Sequence, residues 1–175
     1  MATTHYLIAK QTVGSGGTVS VSFSNIPQTY TDLIIKCSVR SARSGYSYDT
    51  LTLNFNGSTS GYSDRSLRGN GSSASSYSNS STYLYEFLTV PGASATANTF
   101  GNLEFYIPNY TSNNYKSVSM DTVGENNATE SYAELTAGLW ANTAAITKID
   151  IGRYNDVFVQ YSDFYLYGVS ATGDG

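Results

Sequence analysis

The stretch Asp32-Leu33-Ile34-Ile35-Lys36-Cys37-Ser38-Val39-Arg40 constrains the fold more than any other part of the chain. Leu33, Ile35, Cys37 and Val39 fall on one side of an extended backbone, and Ile34, Lys36, Ser38 and Arg40 on the other. That period of two marks a half-buried strand. Pro27 stands a few residues earlier, between strands, where a missing backbone N–H interrupts no ladder.

The same alternation recurs along the chain. It predicts strands at His5–Lys10, at Thr18–Phe23 with Val19, Val21 and Phe23 together, and at Asp49–Asn56 with Leu51, Leu53 and Phe55 inward. Thr99–Ile107 groups Leu103, Phe105 and Ile107, and Ala144–Arg153 groups Ile149 and Ile151. Tyr62–Arg68, Tyr83–Leu88, Lys116–Val123, Ser131–Trp140 and Gln160–Val169 complete the set, and Asn56-Gly57 is a strong turn signal. About ten short strands without an amphipathic helix predict an all-β fold, an antiparallel β-sandwich or a barrel. At 175 residues the chain reads as one domain, 1–175. The Ser-rich run Gly69–Thr82 is too low in complexity to pack a core, and so predicts a long surface loop. Pro91–Asn98 reads as a second loop, and residues 171–175 as a frayed end.

Charge is sparse, at 13% of residues, so Ser, Thr, Asn, Gly and Tyr must supply the polar surface. The sixteen tyrosines offer rigid amphipathic area suited to protein or sugar contacts, although tyrosine also simply favours strands. A formal charge of −4 argues against a nucleic-acid partner, which needs a basic footprint. Residues 1–70 hold six Lys/Arg against three acids, and residues 71–175 three against ten. The single cysteine, Cys37, excludes an intrachain disulfide and reads as a buried thiol on the apolar side of its strand. No apolar window reaches the length of a membrane span, and the start of the sequence shows no secretory pattern. A surface of extracellular character without an export signal fits a protein made in a host cytoplasm and released by lysis.

Reactive groups are few. A Ser-His-Asp or Cys-His arrangement would have to use His5, the one histidine, and zinc lacks ligands. A glycosidase pair would have to come from Glu86, Glu104, Glu130 and Glu134, of which Glu130 and Glu134 would share a solvent-facing side of a strand. Asp121, Glu125, Asp156, Asp163 and Asp174 are oxygen donors, but no spacing among them resembles a calcium loop. No catalytic residue, metal site or cofactor is expected.

Five phrases in order along the chain carry a resemblance. They are Ile26-Pro27-Gln28-Thr29-Tyr30-Thr31-Asp32-Leu33 with Val39-Arg40-Ser41, Leu51-Thr52-Leu53-Asn54-Phe55-Asn56-Gly57, and Tyr106-Ile107-Pro108-Asn109-Tyr110-Thr111. Ile146-Thr147-Lys148-Ile149-Asp150-Ile151 and Tyr165-Leu166-Tyr167-Gly168-Val169 complete them. Together the chain resembles small structural proteins of tailed bacteriophages, of the type infecting marine bacteria and cyanobacteria. The resemblance implies a jelly-roll-like sandwich on the virion surface. Such a protein would act as a capsid decoration (cement) protein binding the major capsid protein or other virion proteins and its own copies. A trimer is the natural expectation on a symmetric lattice. The alternative is the receptor- or glycan-binding head of a tail fibre, and a more remote one is a polysaccharide-degrading enzyme. On either binding reading, Tyr46, Tyr48, Tyr62 and Tyr77 are the expected contact residues, carried on or near the loops Ser41–Tyr48 and Gly69–Thr82.

Overall fold

The computed structural model describes residues 4–85, 88–127, 130–153 and 156–170, and every regular element among them is a β-strand. In chain order these are β1 (His5–Thr12), β2 (Ser20–Ser24), β3 (Asp32–Val39), β4 (Tyr48–Phe55), β5 (Tyr62–Gly69) and β6 (Ala74–Ser81). Then follow β7 (Thr89–Pro91), β8 (Gly101–Ile107), β9 (Lys116–Gly124), β10 (Tyr132–Trp140), β11 (Lys148–Arg153) and β12 (Asp163–Val169). An eight-stranded sheet runs β1-β12-β3-β8-β9-β10-β5-β6, and a four-stranded sheet runs β2-β11-β4-β7. Every ladder is antiparallel, and the molecule is a β-sandwich.

The strand expected to organise the fold does so. β3 lies inside the larger sheet between β12 and β8, with Leu33, Ile35, Cys37 and Val39 all buried in the core. Ile34 faces outward yet is also buried, because Tyr167 and Tyr106 stand directly opposite it on the two flanking strands. Across the core stand Leu51, Leu53 and Phe55 of β4 and Ile149 and Ile151 of β11, with Leu103, Phe105, Ile107, Phe164 and Leu166 beside β3.

One corner gathers most of the phrases that carried the resemblance. Asn56, at φ 54°, turns the chain, and its Oδ1 accepts the backbone N–H groups of Thr147 and Lys148 at 2.9 and 3.0 Å. Ile26 N–H donates to the Thr147 carbonyl, and the Gln28 amide donates to the carbonyls of Ile26 and Ile146. Tyr110 is fully buried there and donates its hydroxyl to the Pro27 carbonyl. On β12, Gly168 leaves the space that the Tyr30 ring fills, since a Cβ would stand 2.3 Å from it. These phrases are architectural.

Four expectations are corrected. The run Gly69–Thr82 is not a loop. Its centre is β6, paired with β5 in unbroken register from Gly69↔Ala74 to Tyr62↔Ser81. Serine needs no core when it stands on a solvated edge, and the β5 ladder satisfies the backbone on one side. Only Asn70–Ser73 turns, held by Asn70 Oδ1 accepting the N–H groups of Ser72 and Ser73 at 3.0 and 2.8 Å. Tyr83–Leu88 is not a full strand: Leu84 makes an isolated bridge to Leu53, and residues 86 and 87 lie outside the described set. The loop expected from Pro91 onward begins one residue later, because Pro91 closes the short strand β7 on β4. Val19 does not share a face with Val21 and Phe23. It lies in a bend before β2 and is 64% exposed. The expected fraying of 171–175 falls outside the described residues.

Candidate interaction face

The strands β5 and β10 carry their polarity the wrong way round for a sandwich along part of their length, and Val123 of β9 joins them at one end. On β5 and β10 the aromatic ends Tyr62 and Trp140 are buried in the core, but so are Asp64, Ser66, Glu134 and Thr136, while Leu67 and Leu135 project outward at 54% and 53% exposure. Leu67 and Leu135 are direct cross-strand partners. Ala133 stands between Gly69 and Val123, itself 46% exposed, and Ala137 stands beside Arg65. The result is a flat apolar face with Arg65 and Asp121 at its margins.

Glu134, Ser66 and Thr136 beneath it are hydrogen-bonded, which lets the pattern stand there. Glu134 Oε2 accepts from Thr89 N–H at 3.0 Å, from Thr89 Oγ1 at 2.7 Å and from Thr122 Oγ1 at 2.6 Å. Its Oε1 accepts from Arg68 Nε at 2.6 Å. Ser66 and Thr136 share a hydroxyl–hydroxyl bond at 2.9 Å. A one-residue slip of β10 would bury Leu135 and expose this network. A buried carboxylate bonded this fully holds the strand in register.

The four tyrosines of the sequence reading do not converge. Tyr62 is corrected outright. It is 3% exposed, stacks on Trp140 at 6.1 Å, and its hydroxyl accepts the Phe55 N–H at 2.8 Å. Tyr77 is exposed on β6. Tyr46 is half-exposed in the loop before β4, with the Arg43 guanidinium 3.7 Å from its ring centre. Tyr48 is partly buried, meeting Tyr132 edge-on at 5.4 Å, and Arg68 lies over the Tyr132 ring at 4.0 Å. Burial, and then the hydrogen bond to Glu130, pushes the Tyr132 hydroxyl up to about 12.

Among the acids, Glu104 of β8 and Asp121 of β9 are direct cross-strand partners. Glu104 pairs with Lys36 at 2.8 Å on the outer face, whereas Glu134 is buried on the inner face, contrary to the expectation that it faces solvent. Glu130 precedes β10 and accepts from Ser47 and Tyr132. Glu86 lies outside the described residues. Asp163 bonds Thr12 and lies 3.5 Å from Lys10. Among the described residues no three His, Cys, Asp or Glu side chains gather as a metal site. His5 is exposed beside Thr4.

The sequence reading missed the apolar face. Its signal was present in the alternation of Leu67 with Ser66 and Arg68 and of Leu135 with Glu134 and Thr136, but pattern alone assigns the leucines inward. No protein-family model matches the chain, and no curated protein matches it.

Proposed function

We propose that the protein is a structural component of a tailed-phage virion, a capsid decoration protein that adheres to the shell through the outer face of β5, β9 and β10. The observation that carries this reading is the inverted polarity of β5 and β10, where Leu67 and Leu135 face outward while Ser66, Glu134 and Thr136 are buried. Apolar surface held outward over the hydrogen-bonded Glu134, Ser66 and Thr136 fits a protein–protein contact. The strand order adds support for the expected topology. Without the β5–β6 and β9–β10 hairpins, the sheets read β1-β12-β3-β8 and β2-β11-β4-β7, the order expected for the double Greek key of a jelly roll. The two hairpins extend the larger sheet beyond β8 and carry the apolar face with them. Adhesion then lies on the addition to the sandwich, and the core supplies rigidity.

Co-sedimentation of purified protein with capsids tests the reading. Stoichiometric binding is expected for the unaltered chain, and a loss of at least tenfold in affinity for Leu135→Asp with its fold intact. Unchanged binding by that variant would remove the face from the contact. Tyr46, fixed by Arg43 in an exposed loop, favours a second reading, stacking on host sugars as the head of a fibre. Glycan binding lost in Tyr46→Ala, without capsid binding, would establish that reading instead.

A further inference from the structure

The two sheets end in four edge strands, and three of them are protected against pairing with another chain. β1 carries a register shift between Leu7 and Ala9 and the charge of Lys10. β2 has five residues, and β7 has three and ends in Pro91. Bulges, lysines, prolines and shortness are the devices that keep sheet edges from pairing. β6 has none of them. It is eight residues long, Ala74-Ser75-Ser76-Tyr77-Ser78-Asn79-Ser80-Ser81, with no charge and no proline, and its register with β5 never shifts. Among the described residues it has a partner strand on one side only.

We propose that β6 is a self-association edge, pairing antiparallel with β6 of a second copy about a two-fold axis to join two eight-stranded sheets into one. The proposal rests on the decoration reading, for which the sequence resemblance implies binding to its own copies, and it replaces the trimer expected from the sequence with a defined surface and two-fold symmetry. The register follows from the turn. Asn70 N–H bonds to the Ser73 carbonyl, so along the antiparallel ladder Ser75, Tyr77, Asn79 and Ser81 turn their backbone groups toward β5. Ala74, Ser76, Ser78 and Ser80 therefore turn theirs outward. An axis through Tyr77 places Ala74 opposite Ser80, and Ser76 opposite Ser78, of the second copy. That register satisfies every outward N–H and C=O of one strand by the other. It also sets the two half-exposed Tyr77 rings side by side on one face, where cross-strand aromatic pairs are favourable.

The occupant is a second copy because the strand is complementary to itself. It carries no charge, so a two-fold axis brings no like charges together within it. An edge ribbon lies at the small end of interface sizes, where association is weak in solution. Copies held on one capsid surface meet at a high effective concentration, which offsets that weakness. Joined this way, the two copies hold their apolar faces on the same side of a continuous sheet, so both can lie on one scaffold.

Sedimentation equilibrium of the full chain over a wide concentration range tests the proposal. The weight-average mass is expected to rise from 18.8 kDa toward twice that value. Ser78→Pro removes an outward N–H of the edge, and Ser76→Lys puts a charge on the edge strand beside Leu67; each is expected to weaken association at least tenfold while circular dichroism stays unchanged. Tyr77→Cys is expected to give a disulfide-linked pair on mild oxidation, and Cys37 does not compete because it is buried. A monomer at all concentrations, a three-chain mass, or unaltered association in Ser76→Lys would overturn the proposal. Should Ser78→Pro fail to fold, a Tyr77→Cys chain that stays monomeric under oxidation would overturn it equally. Leu135→Asp separates the two readings: it should keep the pair and lose capsid binding, whereas loss of the pair in Leu135→Asp but not in Ser76→Lys would overturn the edge.

Discussion

Glu134 decides which way β10 faces. Its carboxylate is buried with four hydrogen-bonding groups around it, from Arg68, Thr89 and Thr122, and no other register of the strand provides them. Removing one partner of such a pair leaves the other buried and uncompensated. Glu134→Ala should therefore cost about 3–5 kcal/mol, read as a shift of the urea midpoint. A cost near zero would show that the apolar face is held outward by something else. Tyr132, next to this network, links stability to pH. Its hydroxyl is raised from 10.0 to about 12, so the folded chain keeps a proton that the unfolded chain has lost in that interval. Its contribution is fully present below pH 10 and is lost as pH rises toward about 12. Tyr62, Tyr106 and Tyr110 are raised in the same direction, so Tyr132→Phe should flatten the fall in urea midpoint above pH 10 without abolishing it. An unaltered slope would show that Tyr132 does not report on the folded state.

At the scale of elements, alternation revealed the strands whose apolar side faces the core. β3, β4, β8 and β11 follow it, and each buries the residues grouped together by the pattern. Leu33→Ala should accordingly cost about 2–5 kcal/mol, while the partly exposed Thr52 of β4 should tolerate alanine within about 0.5 kcal/mol. Equal midpoints for the two variants would mean that the facing of these strands is wrong. β6 was not legible, because a run of serines holds no apolar period to read. Its strand state comes from the β5 ladder and the Asn70 turn, both of which are tertiary facts. The facing of β5 and β10 was illegible for a different reason. Several of their inward residues are polar, and for Glu134 the groups of neighbouring strands, Arg68, Thr89 and Thr122, make that burial possible. A single strand read alone has no means of showing them. Tyr62 was misplaced on the same grounds: an aromatic at a strand start reads as a surface contact until Trp140 and Phe55 are seen against it.

For the whole molecule, two regions divide the work. The corner where Ile26, Asn56, Tyr110 and Ile146 meet ties the two sheets together through hydrogen bonds between distant segments. The phrases quoted for the resemblance lie largely there, which is why they speak for architecture and touch no site. At the other side of the larger sheet, the hairpins β5–β6 and β9–β10 carry the outward leucines and the uncharged edge. A rigid sandwich presenting an adhesive addition is the physical content of the decoration reading. On the decoration reading the proposed source is a tailed phage, and gold-labelled antibody against this chain, applied to particles of such a phage, tests that reading most directly. Label distributed over the capsid in many copies is the expected result; particles without label, or with label confined to the tail, would contradict it.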